Sequence, residues 1–272
     1  MQPLQNSLIR SRIAPTPSGY LHIGNAYSFL LTSQLVQQHG GTLLLRIDDM
    51  DSDRVRQEYI QDVFDTVNFL GISYQQGPTN ANDFQENYSQ KFRLPLYQDL
   101  LDKLCKTELV YACNCSRKTL QLNNNTCQCW QKKLALDASN VAWRIHVPVG
   151  TIIRFTDVNL GAVKMDLSSV MPDFIIRKKD GMPAYQISSL ADDLYYCINY
   201  IVRGEDLVCS TAAQLYLASL INAESFINTT FHHHALLKNM EGEKLSKSAG
   251  ATSIKHLRER GATLQDLLKQ LG

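Results

Sequence analysis

The chain has 272 residues, enough for a sizeable core in one or two domains, and its 44% hydrophobic and 19% charged residues are ordinary for a globular protein. With 27 Lys and Arg against 26 Asp and Glu, the net charge is +1. That balance argues against tight nonspecific binding to nucleic acid, while leaving room for a local basic patch or a transient contact with a structured RNA. The amino terminus, MQPLQNSLIRSR, lacks the apolar run of a secretory signal, and no stretch reaches the length of a membrane span. A cytosolic protein without membrane contact is expected. Cysteine is present at seven positions, an odd number, which together with the missing export signal favours thiols and metal over a disulfide frame.

In chain order, residues 8–14 read as a short strand. Pro15-Thr16-Pro17-Ser18-Gly19 breaks it, because two prolines and a glycine cannot continue a ladder. A helix is expected over 24–38, with Tyr27, Leu30, Leu31 and Leu35 on one side and Gly40-Gly41 as its stop. Residues 42–47 (TLLLRI) have the pattern of a buried parallel strand, with Asp48 and Asp49 at its carboxyl end. Asp53 reads as the N-cap of a helix to residue 70, its apolar side formed by Val55, Ile60, Val63, Phe64 and Val67. Strand, helix, strand, helix opens a parallel α/β sheet, whose ligands bind beyond the carboxyl ends of the strands.

From 78 to 179 the pattern changes to a helix over 88–105, a cysteine-rich loop over 113–129, and strands at 142–147 and 151–157. This reads as an insertion that separates a first half of the α/β domain (1–77) from a second (180–250). In the second half, helix and strand alternate at 185–190 and 200–202. A helix near 211–221, a strand over 226–237 and a polar loop over 239–251 follow. One or two short helices complete 251–272.

Two segments invite phosphate chemistry. Pro17-Ser18-Gly19-Tyr20-Leu21-His22-Ile23-Gly24-Asn25 leads from strand to helix, where free backbone N–H groups attract anions. Gly24 would let a ligand approach the backbone, and His22 could donate to phosphate oxygens. The plainer alternative is a structural turn capped by a histidine. Downstream, Glu241-Gly242-Glu243-Lys244-Leu245-Ser246-Lys247-Ser248 carries two lysines three apart, point charges suited to a triphosphate; its plainer alternative is a solvated loop.

Together the segments resemble the paired signatures of class I aminoacyl-tRNA synthetases. His22-Ile23-Gly24-Asn25 is similar to the HIGH-type signature, and Lys244-Leu245-Ser246-Lys247-Ser248 to the KMSKS-type loop. Further blocks resemble the glutamate and glutamine branch. They are Arg12-Ile13-Ala14-Pro15-Thr16-Pro17-Ser18-Gly19, Leu45-Arg46-Ile47-Asp48-Asp49-Met50-Asp51, Pro183-Ala184-Tyr185-Gln186, Ala191-Asp192-Asp193 and Ile201-Val202-Arg203-Gly204-Glu205-Asp206. The resemblance implies a Rossmann-like α/β fold that activates an amino acid with ATP and Mg2+. It puts His22, Gly24, Asn25, Asp206, Lys244 and Lys247 at the nucleotide, with Ser246 in support. It gives the amino acid Arg12, Thr16, Asp48, Tyr185 and Arg203, with Asp48 receiving the α-ammonium group.

A buried substrate carboxylate needs cationic partners, which suits Arg12 and Arg203. The plainer reading of Arg203 is an ion pair with Glu205 or Asp206. Glutaminyl enzymes usually lack an arginine at this place, so glutamate is expected. Asp48 departs from that expectation, since the glutamate branch usually has the longer side chain there.

Cys113-Asn114-Cys115 and Cys127-Gln128-Cys129 form C-x-C, eleven residues, C-x-C. Four thiolates suit a closed, structural zinc site with no open position for catalysis. The alternative is four free thiols. Related enzymes carry zinc in this insertion, near the acceptor end of the tRNA. Cys105, Cys197 and Cys209 read as ordinary buried cysteines. His232-His233-His234 cannot all grip one ion on a strand, where neighbours point to opposite faces.

Only 22 residues follow Gly250. That shortness resembles the glutamyl-queuosine tRNA(Asp) synthetases, which glutamylate the queuosine base of tRNA(Asp). The expected partners are therefore tRNA, specifically tRNA(Asp) carrying queuosine, and glutamate, with the chain a monomer. A glutamyl-tRNA synthetase core acting on a tRNA 3′ end or another acceptor, and an inactive paralogue that binds tRNA or protein, stay open.

Overall fold

The fold was analysed in a computed structural model that describes residues 8–122, 127–237 and 253–271. In chain order, β1 (Arg10–Ile13) leads to α1 (Ile23–Gln38), β2 (Thr42–Leu45) and α2 (Gln57–Phe69). A short helix α3 (Ala81–Asp83), a π-helical turn (Phe84–Tyr88) and a 3-10 turn (Gln90–Arg93) precede α4 (Leu94–Cys105). Next come β3 (Val110–Cys113), α5 (Arg117–Leu122), α6 (Cys129–Lys132) and β4 (Ala142–Ile145). The hairpin β5 (Ile152–Asp157) and β6 (Gly161–Asp166) follows, then α7 (Leu167–Val170) and β7 (Ile175–Arg177). The remaining elements are α8 (Tyr185–Tyr195), β8 (Tyr200–Gly204), α9 (Val208–Leu220), α10 (Glu224–Ile227), β9 (Thr230–His234), α11 (Ile254–Glu259) and α12 (Leu264–Leu271).

The chain groups into two compact units. The first comprises 1–92, 198–206 and 229–272; the second comprises 93–197 and 207–228. In the first unit β1 pairs with β2 in parallel, Arg12 opposite Leu44, and β8 pairs with β9 in parallel, Arg203 opposite His233. β1 lies beside β8: the Asn199 N–H donates to the Arg10 carbonyl at 3.1 Å, and Asn199 Oδ1 accepts the Arg10 N–H at 2.8 Å. All four strands therefore run one way, and their carboxyl ends share an edge. The parallel α/β character expected of the chain is present here. Ile13, Leu43, Leu45 and Val202 from the strands pack with Ala26 and Phe29 of α1 and with Ile60, Val63 and Val67 of α2. Burial on this scale is what holds the short strands, because each aliphatic side chain removed from water contributes about 1.5–3 kcal/mol.

In the second unit β3, β4 and β7 form an antiparallel sheet, and β5 and β6 form their own hairpin. Arg93 and Tyr97, at the start of α4, both reach Asp192 on α8. Arg93 Nε meets Oδ1 at 2.7 Å, Nη2 meets Oδ2 at 3.0 Å, and the Tyr97 hydroxyl donates to Oδ1 at 2.8 Å. The carboxylate is fully buried, so these charged donors replace the water it has lost.

Several expectations need correction. No helix starts at Asp53. Ser52–Arg54 is a 3-10 turn, Val55 is extended, and α2 begins at Gln57 without a side-chain cap. Arg56 Nη1 instead donates to the carbonyls of Asp53 and Val55 at 3.0 and 2.9 Å, which ties off the turn. The helix expected over 88–105 begins only at Leu94. Asp49 accepts from Ser89 Oγ at 2.6 Å and from the Gln90 N–H at 2.8 Å, holding the chain out of helical geometry there. The strand expected over 226–237 is α10 followed by β9; a short apolar run does not distinguish the two states by itself. β6 was not anticipated, although its turn had a signal: Asp157 Oδ1 accepts the N–H groups of Asn159 and Leu160, both at 2.9 Å, ahead of Gly161 at φ +74°.

Candidate functional site

His22 is the N-cap of α1. Its backbone is extended, its Nδ1 accepts the Gly24 N–H at 3.1 Å, and Asn25 Oδ1 accepts the His22 N–H at 3.1 Å. The Asn25 N–H turns back to the His22 carbonyl at 2.9 Å. The amides of His22, Gly24 and Asn25 are thus used within the turn, which corrects the expectation of free backbone donors. Nδ1 accepts, so a neutral ring carries its proton on Nε2 and can offer that as a donor. Gly24 has a visible reason. A Cβ there would lie 3.0 Å from His22 Cε1, tighter than a side chain tolerates without displacing the ring. On this geometry Gly24 admits the histidine, whatever it does for a ligand.

Lys244, Ser246 and Lys247 lie outside the described residues. The chain is described again from Ser253, and there it meets the histidine turn. Ser253 and His22 form an antiparallel β-bridge, and the Ile254 N–H donates to the Leu21 carbonyl at 2.8 Å. Ser253 Oγ caps α11 by accepting the His256 N–H at 3.2 Å. Asp62 of α2, 2% exposed, accepts the Leu21 N–H on Oδ2 at 3.0 Å and is ion-paired through Oδ1 with Arg258 of α11. Burial raises the Asp62 pKa above the usual carboxylate value, against the pull of the Leu21 N–H and of Arg258. The sequence reading missed both residues. The signal was a lone carboxylate beside Ile60 and Val63 in an otherwise apolar stripe.

Three of the expected amino-acid contacts stand at the strand ends of the first unit. Arg12 of β1 is 5% exposed, and its Nη1 donates to the Val202 carbonyl at 3.4 Å. Arg203 of β8 is 4% exposed, with its guanidinium 5.9 Å from the centre of the Phe231 ring. Asp48, just past β2, has its N–H on the Pro15 carbonyl at 2.9 Å and both carboxylate oxygens on Arg46, at 2.7 and 3.0 Å. Two buried guanidinium groups and one paired carboxylate therefore occupy neighbouring strand ends. Thr16 and Asp206 are exposed, the first in the loop after β1 and the second in the 3-10 turn Glu205–Leu207 that follows β8. Gly204 keeps room for the latter, since a Cβ there would come within 2.6 Å of Asp206 Oδ1. Tyr185 belongs to the second unit, where it opens α8 and is 43% exposed.

The four expected metal ligands converge. Cys113, Cys115, Cys127 and Cys129 place their sulfurs within 4.8 Å of one another. The separations Cys113–Cys127, Cys115–Cys129 and Cys115–Cys127 are 3.4, 3.5 and 4.0 Å. Tetrahedral zinc with bonds of about 2.3 Å holds its sulfurs about 3.8 Å apart, so the donor set fits that ion. Burial and the neighbouring thiols push the Cys115 thiol up to about 12. Beside them Trp130 stacks on His146, with ring centres 4.2 Å apart, and meets Tyr111 edge-on. Asp173 collects the Tyr111 hydroxyl at 2.8 Å, His146 Nδ1 at 3.0 Å and the Val147 N–H at 2.8 Å. Of the other cysteines, Cys105 and Cys209 are half-buried and Cys197 is exposed, so none is the fully buried residue expected.

The three histidines of β9 diverge. His232 Nδ1 lies 3.4 Å from the Tyr200 hydroxyl, His233 is fully buried, and the His234 ring meets Tyr27 edge-on. Among the described residues the cysteines form the sole metal-competent cluster, and no helix is long and apolar enough to cross a membrane.

A parallel sheet with its charged residues at the strand ends, and a histidine-capped helix entered from it, define a class I synthetase catalytic domain. The chain belongs to the family of tRNA synthetases class I (E and Q), catalytic domain, whose model matches residues 8–272. It is 32% identical to a glutamate–tRNA ligase 2 of Syntrophus aciditrophicus, over 96% of this chain and 56% of that protein. It is 33% identical to a glutamyl-Q tRNA(Asp) synthetase of Nitratidesulfovibrio vulgaris, over 93% of this chain and 82% of that protein. A glutamate-tRNA synthetase of Elizabethkingia anophelis shares the fold, with a TM-score of 0.74 at 22% identity over 94% of this chain. The chain spans little more than half the length of the glutamate–tRNA ligase and of this solved structure, at 56% and 54%.

Proposed function

We propose that the protein activates glutamate with ATP and transfers it to the queuosine base of tRNA(Asp). In the first step an oxygen of the glutamate α-carboxylate attacks the ATP α-phosphorus. The bond to the leaving pyrophosphate breaks, and a mixed anhydride, glutamyl-adenylate, forms. In the second an acceptor nucleophile on the RNA takes the glutamyl group and AMP leaves. The protein's part is to hold reactants in line and to stabilise charge, as in other phosphoryl chemistry. His22 offers Nε2–H to the phosphates, and Lys244 and Lys247 share that charge with Mg2+, with Gly24, Asn25, Ser246 and Asp206 around the nucleotide. Arg12 and Arg203 receive the glutamate carboxylates and Asp48 its ammonium group. Thr16 and Tyr185 rest on the family resemblance alone.

The observation that carries this reading is the meeting of the histidine turn with Ser253, six positions after Lys247 in the sequence. Two arginines stand buried at adjacent strand ends, and guanidinium forks of this kind bind carboxylates bidentately, which supports an anionic substrate. The queuosine acceptor is supported by relatives named glutamyl-Q tRNA(Asp) synthetase, two of which are 33% and 32% identical to this chain. The reading takes 78–179 as an insertion, its four cysteines closed around a structural zinc ion, and the protein as a cytoplasmic monomer.

Charging with labelled glutamate, on tRNA(Asp) with and without queuosine, tests the proposal. Label that appears only on the queuosine-containing RNA and survives removal of its 3′-terminal nucleotide supports it. Label on the 3′ end of unmodified tRNA would instead favour the activity named for the glutamate–tRNA ligases.

A further inference from the structure

A second polar network of the first unit joins the histidine turn to α2 and α11. Asp62 devotes one carboxylate oxygen to each of two distant segments. Oδ2 takes the Leu21 N–H at 3.0 Å, and Oδ1 takes Arg258 of α11. Leu21 is held from both sides, because its carbonyl accepts the Ile254 N–H at 2.8 Å. The next residues on each strand, His22 and Ser253, form the β-bridge. Lys255 adds a contact from the same helix, with Nζ 3.3 Å from the Tyr20 hydroxyl. Leu21, Ile23 and Ile254 are buried in one apolar cluster. The rotation of the His22 turn and the position of Ser253 are therefore set by one buried carboxylate.

Resting on the reading above, we propose that Asp62 and Arg258 are positioning residues for adenylate formation: their ion pair fixes the His22 turn against the chain that follows the lysine segment. The physical reason is that the Asp62 carboxylate cannot relax into solvent. Asp62 is 2% exposed, and its loss would leave the Leu21 N–H and the half-buried Arg258 guanidinium to find other acceptors in an apolar setting. A histidine turn displaced by less than an ångström stays folded but presents Nε2 in the wrong place. Arg258 also meets Asp65 at 3.3 Å, but that carboxylate is 41% exposed and touches nothing in the histidine turn.

The test is glutamate-dependent ATP–pyrophosphate exchange with the full chain, normalised to active sites by the burst of adenylate. Asp62→Asn and Arg258→Met should each lower kcat and raise the KM for ATP, with a combined loss of about tenfold to a hundredfold, the range for small misplacements of reacting groups. The KM for glutamate should stay within about twofold, and Arg258→Lys should recover part of the loss. The double variant should be no worse than the poorer single one, since the pair acts as a unit. Asp65→Asn should leave exchange unchanged. A lowered melting temperature and active fraction, with kcat and KM for ATP of the active molecules unaltered, would mean that the pair is merely structural and would overturn the inference. Exchange by the wild-type protein with no effect of either variant overturns the inference alone. No exchange by the wild-type protein overturns the activation reading and the inference together.

Discussion

Arg46 and Asp48, one residue apart, are locked in a two-point ion pair, with Nε to Oδ1 at 2.7 Å and Nη2 to Oδ2 at 3.0 Å, and their side chains are 2% and 10% exposed. The pair aims the carboxylate that is proposed to receive the substrate ammonium. Arg46→Met leaves that charge buried without its bidentate donor, and removing one partner of a buried pair costs about 3–5 kcal/mol. Urea unfolding should show a loss of this size, and the KM for glutamate should rise. A loss below about 1 kcal/mol would show that other donors hold Asp48.

The residue proposed to select glutamate is Arg203, buried at the end of β8. Arg203→Cys removes the charge that distinguishes a carboxylate from an amide. Preference for glutamate over glutamine in pyrophosphate exchange should fall by at least about tenfold, the equivalent of one charged hydrogen bond. An unchanged preference would contradict the arginine's place in the amino-acid site.

The cysteine cluster should hold about one zinc ion per chain, measurable by elemental analysis of the purified protein. Both tryptophans report on this region: Trp130 follows Cys129 directly, and Trp143 lies in β4, which pairs with β3 and Cys113. A strong chelator should remove the metal and shift tryptophan emission as the stack on His146 loosens. Cys127→Ser should do the same without chelator. Metal-free protein with unchanged emission would show that the four thiols stand without an ion.

Alkaline titration should be biphasic. Burial raises the pKa of Tyr74, Tyr97, Tyr111 and Tyr216, the last to about 12. Each folded value lies above the unfolded one, near about 10. The stability these hydroxyls contribute is therefore complete below about pH 10 and is lost as pH rises through the folded values. Phenolate absorbance should show these four tyrosines ionising only together with unfolding. A single transition near pH 10 would mean that these rings are open to solvent.

Much of this architecture could be read from residue order. The strand from Thr42 announces itself by local pattern, because a buried parallel strand is apolar throughout, and the proline-glycine break marks where the strand at Arg10–Ile13 stops. The cysteine spacing likewise implies convergence, since residues two apart can turn both sulfurs inward. The family signatures were legible for the same reason: each is contiguous. What failed was local structure decided by remote partners. Ser89 and Gln90 could have belonged to one α-helix with Leu94, but Asp49, some forty positions away, takes the Ser89 hydroxyl and the Gln90 amide.

The amino-acid order by itself determined the opening strand-helix-strand pattern, which segments carry phosphate-type or metal-type side chains, and to which family the chain belongs, because those properties depend on neighbours within one turn or one ladder. Only the tertiary structure decided that the imidazole of His22 caps its own helix through Nδ1, that Asp62 spans from Leu21 to Arg258, and that Asp48 is gripped by Arg46. Such pairings follow from the loss of water around buried charge. A carboxylate in an apolar setting must find a donor wherever the fold brings one, and no local pattern encodes how far along the chain that donor lies.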